Sequence, residues 1–382
     1  MKKNLKSSIV YLLPLAFVVL IMSCMSAPVK QGKLPLKDAY KDYFLIGTAL
    51  NRFQIMGRDS LSMEIVKEQF NSITPENALK WINVEPQRGK YTFSVADSFV
   101  AFGLANHMFI VGHNLLWHSQ IPRWIFVDDK GNDVSRDTLL NRLHDHIMTV
   151  AGRYKGKING WDVVNEALEE NGELRQSKWL KIIGDDYIEK AFQYAHEAAP
   201  DAELYYNDYN IEMPAKRAGA IRIIKDLQSK GIRIDGVGIQ AHWHMDMPSL
   251  EVIDSAIAQF SALGVKVMFT EMDINMLPRP ENLTGAEVSN RFKLTPESNP
   301  YPNGLPDSMQ VKLAERYSDI FRIFCKHKNS ISRVTFWGVS DKQSWLNNWP
   351  IPGRTNYPLL FDRNLQPKPV VDSLLNIVAV KK

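Results

Sequence analysis

Cysteine is almost missing from this chain: Cys24 and Cys325 are the only two among 382 residues. A single possible pair cannot build the disulfide framework of a small secreted scaffold, and there are no paired cysteines to hold zinc. No G-x-G-x-x-G or Walker motif follows any candidate strand, so a nucleotide-binding reading has no support. Nor is there a basic stripe. The formal charge is +4, and Lys2, Lys3 and Lys6 sit in an N-terminal leader, so the rest is close to neutral. That argues against a nucleic-acid partner and suits an uncharged polymer such as a polysaccharide. Internal repeats and low-complexity tracts are also missing. The apolar run from Ile9 to Met22 is short for a membrane span.

That run, behind its three lysines, reads as the apolar core of an export signal. It ends in Ile21-Met22-Ser23-Cys24, which resembles the bacterial lipoprotein processing site, where the cysteine becomes the lipidated first residue. Plain cleavage at a small residue nearby is the alternative. The expectation is a signal over 1–23 and a tether over 24–36, with Pro28, Lys30, Gly32 and Pro35. The mature protein is then anchored to a lipid bilayer in the periplasm or on the cell surface, or otherwise secreted. Lipid on Cys24 leaves no intrachain disulfide. Cys325 shares a helical face with Ile320, Phe321 and Phe324 and reads as a buried structural thiol.

Over 37–382, short apolar runs alternate with amphipathic helices, the rhythm of parallel α/β folds. The candidate strands begin at Phe44, Phe70, His107, Ile158, Ala202, Ile234, Val265 and Arg333. Between Ser135 and Tyr154, Leu139, Leu143, Ile147 and Val150 recur at helical spacing, with Ser135 as N-cap. A second helix has Pro214 in its first turn and Gly231 past its end. A third runs from about Ser249 to Gly264. Eight such units predict a single (β/α)8 TIM barrel; a doubly wound open sheet is the runner-up. Residues 276–307, rich in Pro, Asn and Gly, break the rhythm. Long loops in compact domains are usually functional or mobile.

Barrel enzymes carry their chemistry at the C-terminal strand ends. Here every run passes from apolar residues into carboxylates, amides, imidazoles or indoles. Any one ending is equally well a solvated loop; eight together suit a sugar cleft, where aromatic faces stack on pyranose rings and polar groups bond the hydroxyls. Glycoside hydrolysis needs two carboxyl groups flanking the scissile bond. Glu166 and Glu271 end the fourth and seventh runs, on roughly opposite sides of a barrel mouth. Asn165 can donate to the sugar 2-hydroxyl, and His242 can keep a neighbouring carboxylate ionised. His113, His118, His242 and His244 gather near the mouth but lack the spacing of a metal motif, so no metal is expected.

"WDVVNEA" and "TEMD" resemble the acid/base and nucleophile signatures of glycoside hydrolase family 10, the xylanase family. "ENALKW", "HNLLWHSQIPRW", "YNDYN", "GIQAHW", "WGVSDKQSW" and "PLLFD" are similar to its other blocks, in the same order. The resemblance implies a retaining endo-1,4-β-xylanase without a cofactor, acting on xylan or xylo-oligosaccharides. It makes Glu166 the acid/base and Glu271 the nucleophile. Asn165, His113, Gln240 and His242 would hold the sugar at the cleavage point. Asn51, Glu76, Asn77 and Lys80 would bind the next one. Trp337 and Trp345 would wall that pocket and, with Lys80 and Gln87, exclude the hydroxymethyl group of glucose. Trp117 joins the binding set, and Tyr209 offers a stacking face on the leaving-group side. An endo-β-1,4-glucanase and a non-catalytic surface glycan-binding lipoprotein are the rival readings; intact Glu166 and Glu271 speak against the binder. A monomer is expected.

Overall fold

A computed structural model of the chain describes residues 34–280, 283 and 289–379. The expected signal, Cys24 and most of the tether lie outside these residues, as does part of the 276–307 segment. Leu36, at the end of the expected tether, is buried and opens a short helix, Leu36–Ala39.

The strands are β1 (Leu45–Leu50), β2 (Ser72–Pro75), β3 (Phe109–Leu116), β4 (Gly160–Asn165), β5 (Glu203–Asp208), β6 (Gly236–Ile239), β7 (His242–His244), β8 (Lys266–Asn275) and β9 (Ile331–Phe336). All but β7 form the expected closed parallel barrel. β1 pairs with both β2 and β9, and β6 closes on β8. The strands are covered on both faces, which is why they read as nearly unbroken apolar runs; all of β4 is buried. Packing is tight enough to require glycine in β3. A Cβ on Gly112 would fall 2.1 Å from the Trp161 ring.

The helices obey their local signals. Ser135 caps Arg136–Arg153 by accepting from Thr138 N, and Leu139, Leu143, Ile147 and Val150 are buried. Pro214 opens the helix Pro214–Ser229, and Ser249 caps Leu250–Ser261. Cys325 is buried on Asp307–Lys326.

The sixth expected run is not one strand. β6 stops at Ile239, Ala241 takes φ +64°, and the chain resumes as β7. This break lets β7 pair with the extended end of β8, setting His242 opposite Asp273. Among the described residues, no helix or strand lies between Met276 and Pro306. That segment packs on the loop after β9: Phe292 N donates to Pro350 O, Tyr357 Oη to Tyr301 O and Arg354 to Pro278 O.

Candidate active site

β4 delivers Asn165 and, one residue later, Glu166. Glu166 takes φ +56°, a left-handed conformation that costs a non-glycine residue about 1–3 kcal/mol. The turn is held from both sides. Its N–H donates to Asn207 O at 2.9 Å, and its carbonyl accepts from Arg175 Nε at 3.1 Å. The side chain is buried, with Trp117 Nε1 donating to Oε2 at 2.8 Å and Gln240 Nε2 to Oε1 at 3.0 Å. Both donors are neutral.

Glu271, in β8, has a different setting. Asn207 Nδ2 donates to its Oε1 at 2.8 Å, and His242 Nε2 lies 3.2 Å from Oε2. The other His242 nitrogen lies 3.1 Å from Asp273 Oδ1, and Trp345 Nε1 donates to Asp273 Oδ2 at 2.7 Å. Burial alone would lower the His242 pKa, but the Asp273 charge and hydrogen bond, with Glu271 adding to them, push it up to about 10. The ring is therefore an imidazolium at neutral pH, and both nitrogens donate. Burial alone would raise Glu271. The His242 hydrogen bond, the charges of His113 and His242 and the Asn207 bond outweigh it and hold the carboxyl below its ordinary value. One carboxyl group thus sits among neutral donors and the other against a cation.

Asn207 links the two halves. Besides Glu271, its amide nitrogen donates to Asn165 Oδ1 at 2.8 Å, while its own oxygen accepts from Thr270 Oγ1 at 2.6 Å. Asn165 Oδ1 is thereby committed as acceptor, leaving Nδ2 to donate to a ligand. The β6 backbone must pass very close: a Cβ on Gly238 would fall 2.3 Å from Asn207 Oδ1.

The next wall is charged. Lys80 Nζ donates to Asn77 Oδ1 at 2.9 Å and lies 4.9 Å from the centre of the Trp117 ring. Burial lowers its pKa, opposed by the charges of Glu76, Glu271 and Glu166. Burial raises that of Glu76, opposed chiefly by Lys80. His113 Nδ1 lies 2.9 Å from Asp162 Oδ2, and Trp337 stands edge-on to the His113 ring at 5.5 Å.

Of the catalytic and sugar-binding residues singled out from the sequence, all but Asn51, Gln87 and Tyr209 line one cleft, which encloses about 1040 Å³ with its open mouth. Asn51, expected to bind a sugar, stands outside that lining. Its Oδ1 accepts from Phe53 N and Gln54 N, capping the helix Arg52–Ile55, and its Nδ2 donates to Gln343. These bonds commit Oδ1 and one Nδ2 hydrogen to the protein. Gln87 is exposed, accepts from Lys90 and is likewise outside that lining. Tyr209 lines an adjoining groove, its hydroxyl accepting from Arg175 at 2.9 Å. Sequence reasoning placed Asn207 and Asp273 at strand ends without giving them a role, and it missed Arg175. Asn207 and Asp273 stand inside blocks already quoted, "YNDYN" and "TEMD", but nothing local says that they support the glutamates. Among the described residues, no group of three or more His, Cys, Asp or Glu is placed to hold a metal ion.

Comparison with known proteins agrees with this geometry. The model of glycosyl hydrolase family 10 matches residues 35–377. The chain is 48% identical to endo-1,4-beta-xylanase A of Xylanibacter ruminicola, over 92% of this chain and 95% of that one. It is 41% identical to an endo-1,4-beta-xylanase of Geobacillus stearothermophilus, over 90% and 98%. The solved structure of an endoxylanase from a sugarcane soil metagenome superposes with a TM-score of 0.87 at 48% identity, covering 90% of this chain and 99% of that one. The chain is a (β/α)8 barrel enzyme and belongs to glycosyl hydrolase family 10.

Proposed function

We propose that the chain is an endo-1,4-β-xylanase that cleaves internal bonds of xylan with retention of configuration. Glu271 attacks the anomeric carbon while Glu166 protonates the departing glycosidic oxygen. Glu166 then takes a proton from water as that water opens the glycosyl-enzyme. The observation that carries this reading is the unequal setting of the two carboxyl groups. The cation of His242 keeps Glu271 ionised as a nucleophile needs. Trp117 and Gln240 orient Glu166 through neutral bonds that tolerate a proton coming and going. Asn165 Nδ2 would bond the sugar 2-hydroxyl, an interaction that strengthens in the transition state. The substrate class is supported by the relatives, named as xylanases, and by the indoles of Trp337 and Trp345 in the cleft wall.

The test is reducing-sugar release by purified protein from xylan and from a β-1,4-glucan, with the first product followed by NMR. Release from xylan with a β-configured first product is expected. Preferential release from the glucan would favour the glucanase alternative, and an α-configured product would exclude double displacement.

We also infer export and anchoring through a lipidated Cys24, supported by Lys2, Lys3 and Lys6, the apolar run Ile9–Met22 and Cys24 itself. Lipid labelling in a bacterial host should be lost on Cys24→Ser; retained labelling would refute it.

A further inference from the structure

Arg175 stands outside the cleft lining, yet its guanidinium reaches the turn that carries Glu166. Four contacts fan out from that one planar group. Nε donates to Glu166 O at 3.1 Å, and Nη2 donates to Leu168 O at 3.0 Å and to Tyr209 Oη at 2.9 Å. Nη1 lies 3.5 Å from Glu169 Oε2. The donors of a guanidinium form a rigid fork, so the Glu166 carbonyl and the Tyr209 hydroxyl are held in a fixed relation to each other.

Both ends of this tie rest on the helix Pro214–Ser229. The loop after β4 that carries Arg175 presses on that helix at Gly172. A Cβ on Gly219 would fall 2.3 Å from Gly172 O, and Arg222 donates to the same carbonyl at 2.7 Å. From the same helix, the buried Lys216 ammonium lies 3.3 Å from the centre of the Tyr209 ring and 3.0 Å from Asp208 Oδ1. Tyr209 is thus held by one cation at its hydroxyl and by another against its ring. Glu166, with its φ of +56°, keeps that strained conformation only while its surroundings enforce it. A turn that relaxed would carry the carboxyl with it, away from the aim that Trp117 and Gln240 complete.

We propose that Arg175 is a positioning residue for proton transfer: by tying the Glu166 backbone to Tyr209, it fixes the aim of the Glu166 carboxyl at the departing oxygen. The proposal rests on the xylanase reading with Glu166 as acid/base, and adds the residue that aims it. Arg175 lines neither the cleft nor the groove beside Tyr209, so it acts through Glu166 and not on the substrate. Its loss should leave sugar binding and attack by Glu271 largely in place and weaken the step that needs a well-placed proton. A misplacement of about 1 Å can cost a reaction roughly 100-fold.

The experiment compares wild type, Arg175→Gln, Arg175→Lys and Tyr209→Phe on two substrates: xylohexaose, and an aryl xylobioside whose leaving group needs no proton. The ratio kcat/KM covers steps only through glycosylation, so it isolates Glu166 as acid from its later role as base. Arg175→Gln should lose about 10- to 100-fold in kcat/KM on xylohexaose, mostly in kcat, and far less on the aryl substrate. Arg175→Lys keeps the charge but cannot fork to both partners, so it should recover only part of the loss. Tyr209→Phe keeps the ring and removes the far end of the tie; it should show the same selective loss in kcat, smaller in size. Turnover of the aryl substrate shows that a variant is folded, and should Arg175→Gln not fold, Tyr209→Phe carries the test. Equal losses on the two substrates, no loss on xylohexaose, or full recovery in Arg175→Lys would overturn the proposal. Failure of the wild type to cleave xylohexaose would instead sink the xylanase reading.

Discussion

His242 Nε2 lies 3.2 Å from Glu271 Oε2, and the imidazolium that makes this contact is itself secured by Asp273 on its other side. Glu271 is thus kept ionised by a cation that a second carboxylate keeps protonated. The direction of the pH response follows. A lowered Glu271 pKa means that the group is ionised above that value and is protonated only as pH falls through it. The acid limb of kcat/KM is expected below the ordinary glutamate value of about 4.3. In His242→Gln the limb should move upward. A pH profile whose acid limb stays in place in the variant would show that His242 does not set the ionisation of Glu271.

The two glutamates should separate by leaving group. Glu166→Ala is expected to lose about 10²–10⁴-fold on xylan, the usual weight of a positioned general acid. It should lose far less in the glycosylation step on an aryl xylobioside whose leaving group needs no proton. Glu271→Ala should lose both activities, because no glycosyl-enzyme can form. Burst and steady-state kinetics on the two substrates check this; equal losses from Glu166→Ala would refute the assignment.

Asn207 should matter although it was chosen by no sequence motif. Asn207→Ala removes the donor to Glu271 Oε1 and the bond that orients Asn165. A hydrogen bond to a charged group contributes about 1.5–3 kcal/mol, so kcat/KM should fall roughly 10- to 150-fold. Gly238→Ala should disturb the same asparagine from behind, since its Cβ would fall 2.3 Å from Asn207 Oδ1. Overpacking of this kind costs about 1–3 kcal/mol of stability, and thermal unfolding measured beside activity separates the two effects. Full activity in Asn207→Ala would show the bridge to be dispensable.

Selectivity for xylose over glucose should reside in the indole wall. Glucose adds a hydroxymethyl group, and a rigid wall can reject it sterically at about 1–3 kcal/mol. The wild type should favour an aryl xylobioside over an aryl cellobioside by at least roughly tenfold in kcat/KM. Trp345→Ala should lose xylobioside activity but proportionally less cellobioside activity. Trp345→Phe isolates the bond to Asp273 from the stacking, because the ring remains and the Nε1 donor does not. If Trp345→Ala keeps the wild-type ratio, Trp345 is a platform and not the source of selectivity.

The alternation of apolar runs with capped amphipathic helices was legible in the sequence because each signal is local. Ser135, Pro214 and Ser249 act within one helical turn of themselves. The capping role of Asn51 was legible locally too. Asn51 and Gln54 have the N-x-x-Q spacing of a capping box, and that box forms here. The helix end takes Oδ1 of that amide. The break after Ile239 escaped notice because "GVGIQAH" carries no proline or Asn-Gly turn signal at that point, and periodicity has no term for a single left-handed residue such as Ala241.

By itself, then, the sequence determined the barrel and named both glutamates, through strand-end chemistry and the family blocks that hold them. The tertiary structure alone decided what each glutamate feels. Trp117 and Gln240 reach Glu166 from 49 and 74 positions away, and Asn207 reaches Glu271 from 64. A carboxyl group's proton affinity and aim depend on charges and donors within a few ångströms. In a barrel those neighbours arrive around and across the mouth, from strands distant in the chain. No local pattern records which amide will face which carboxylate.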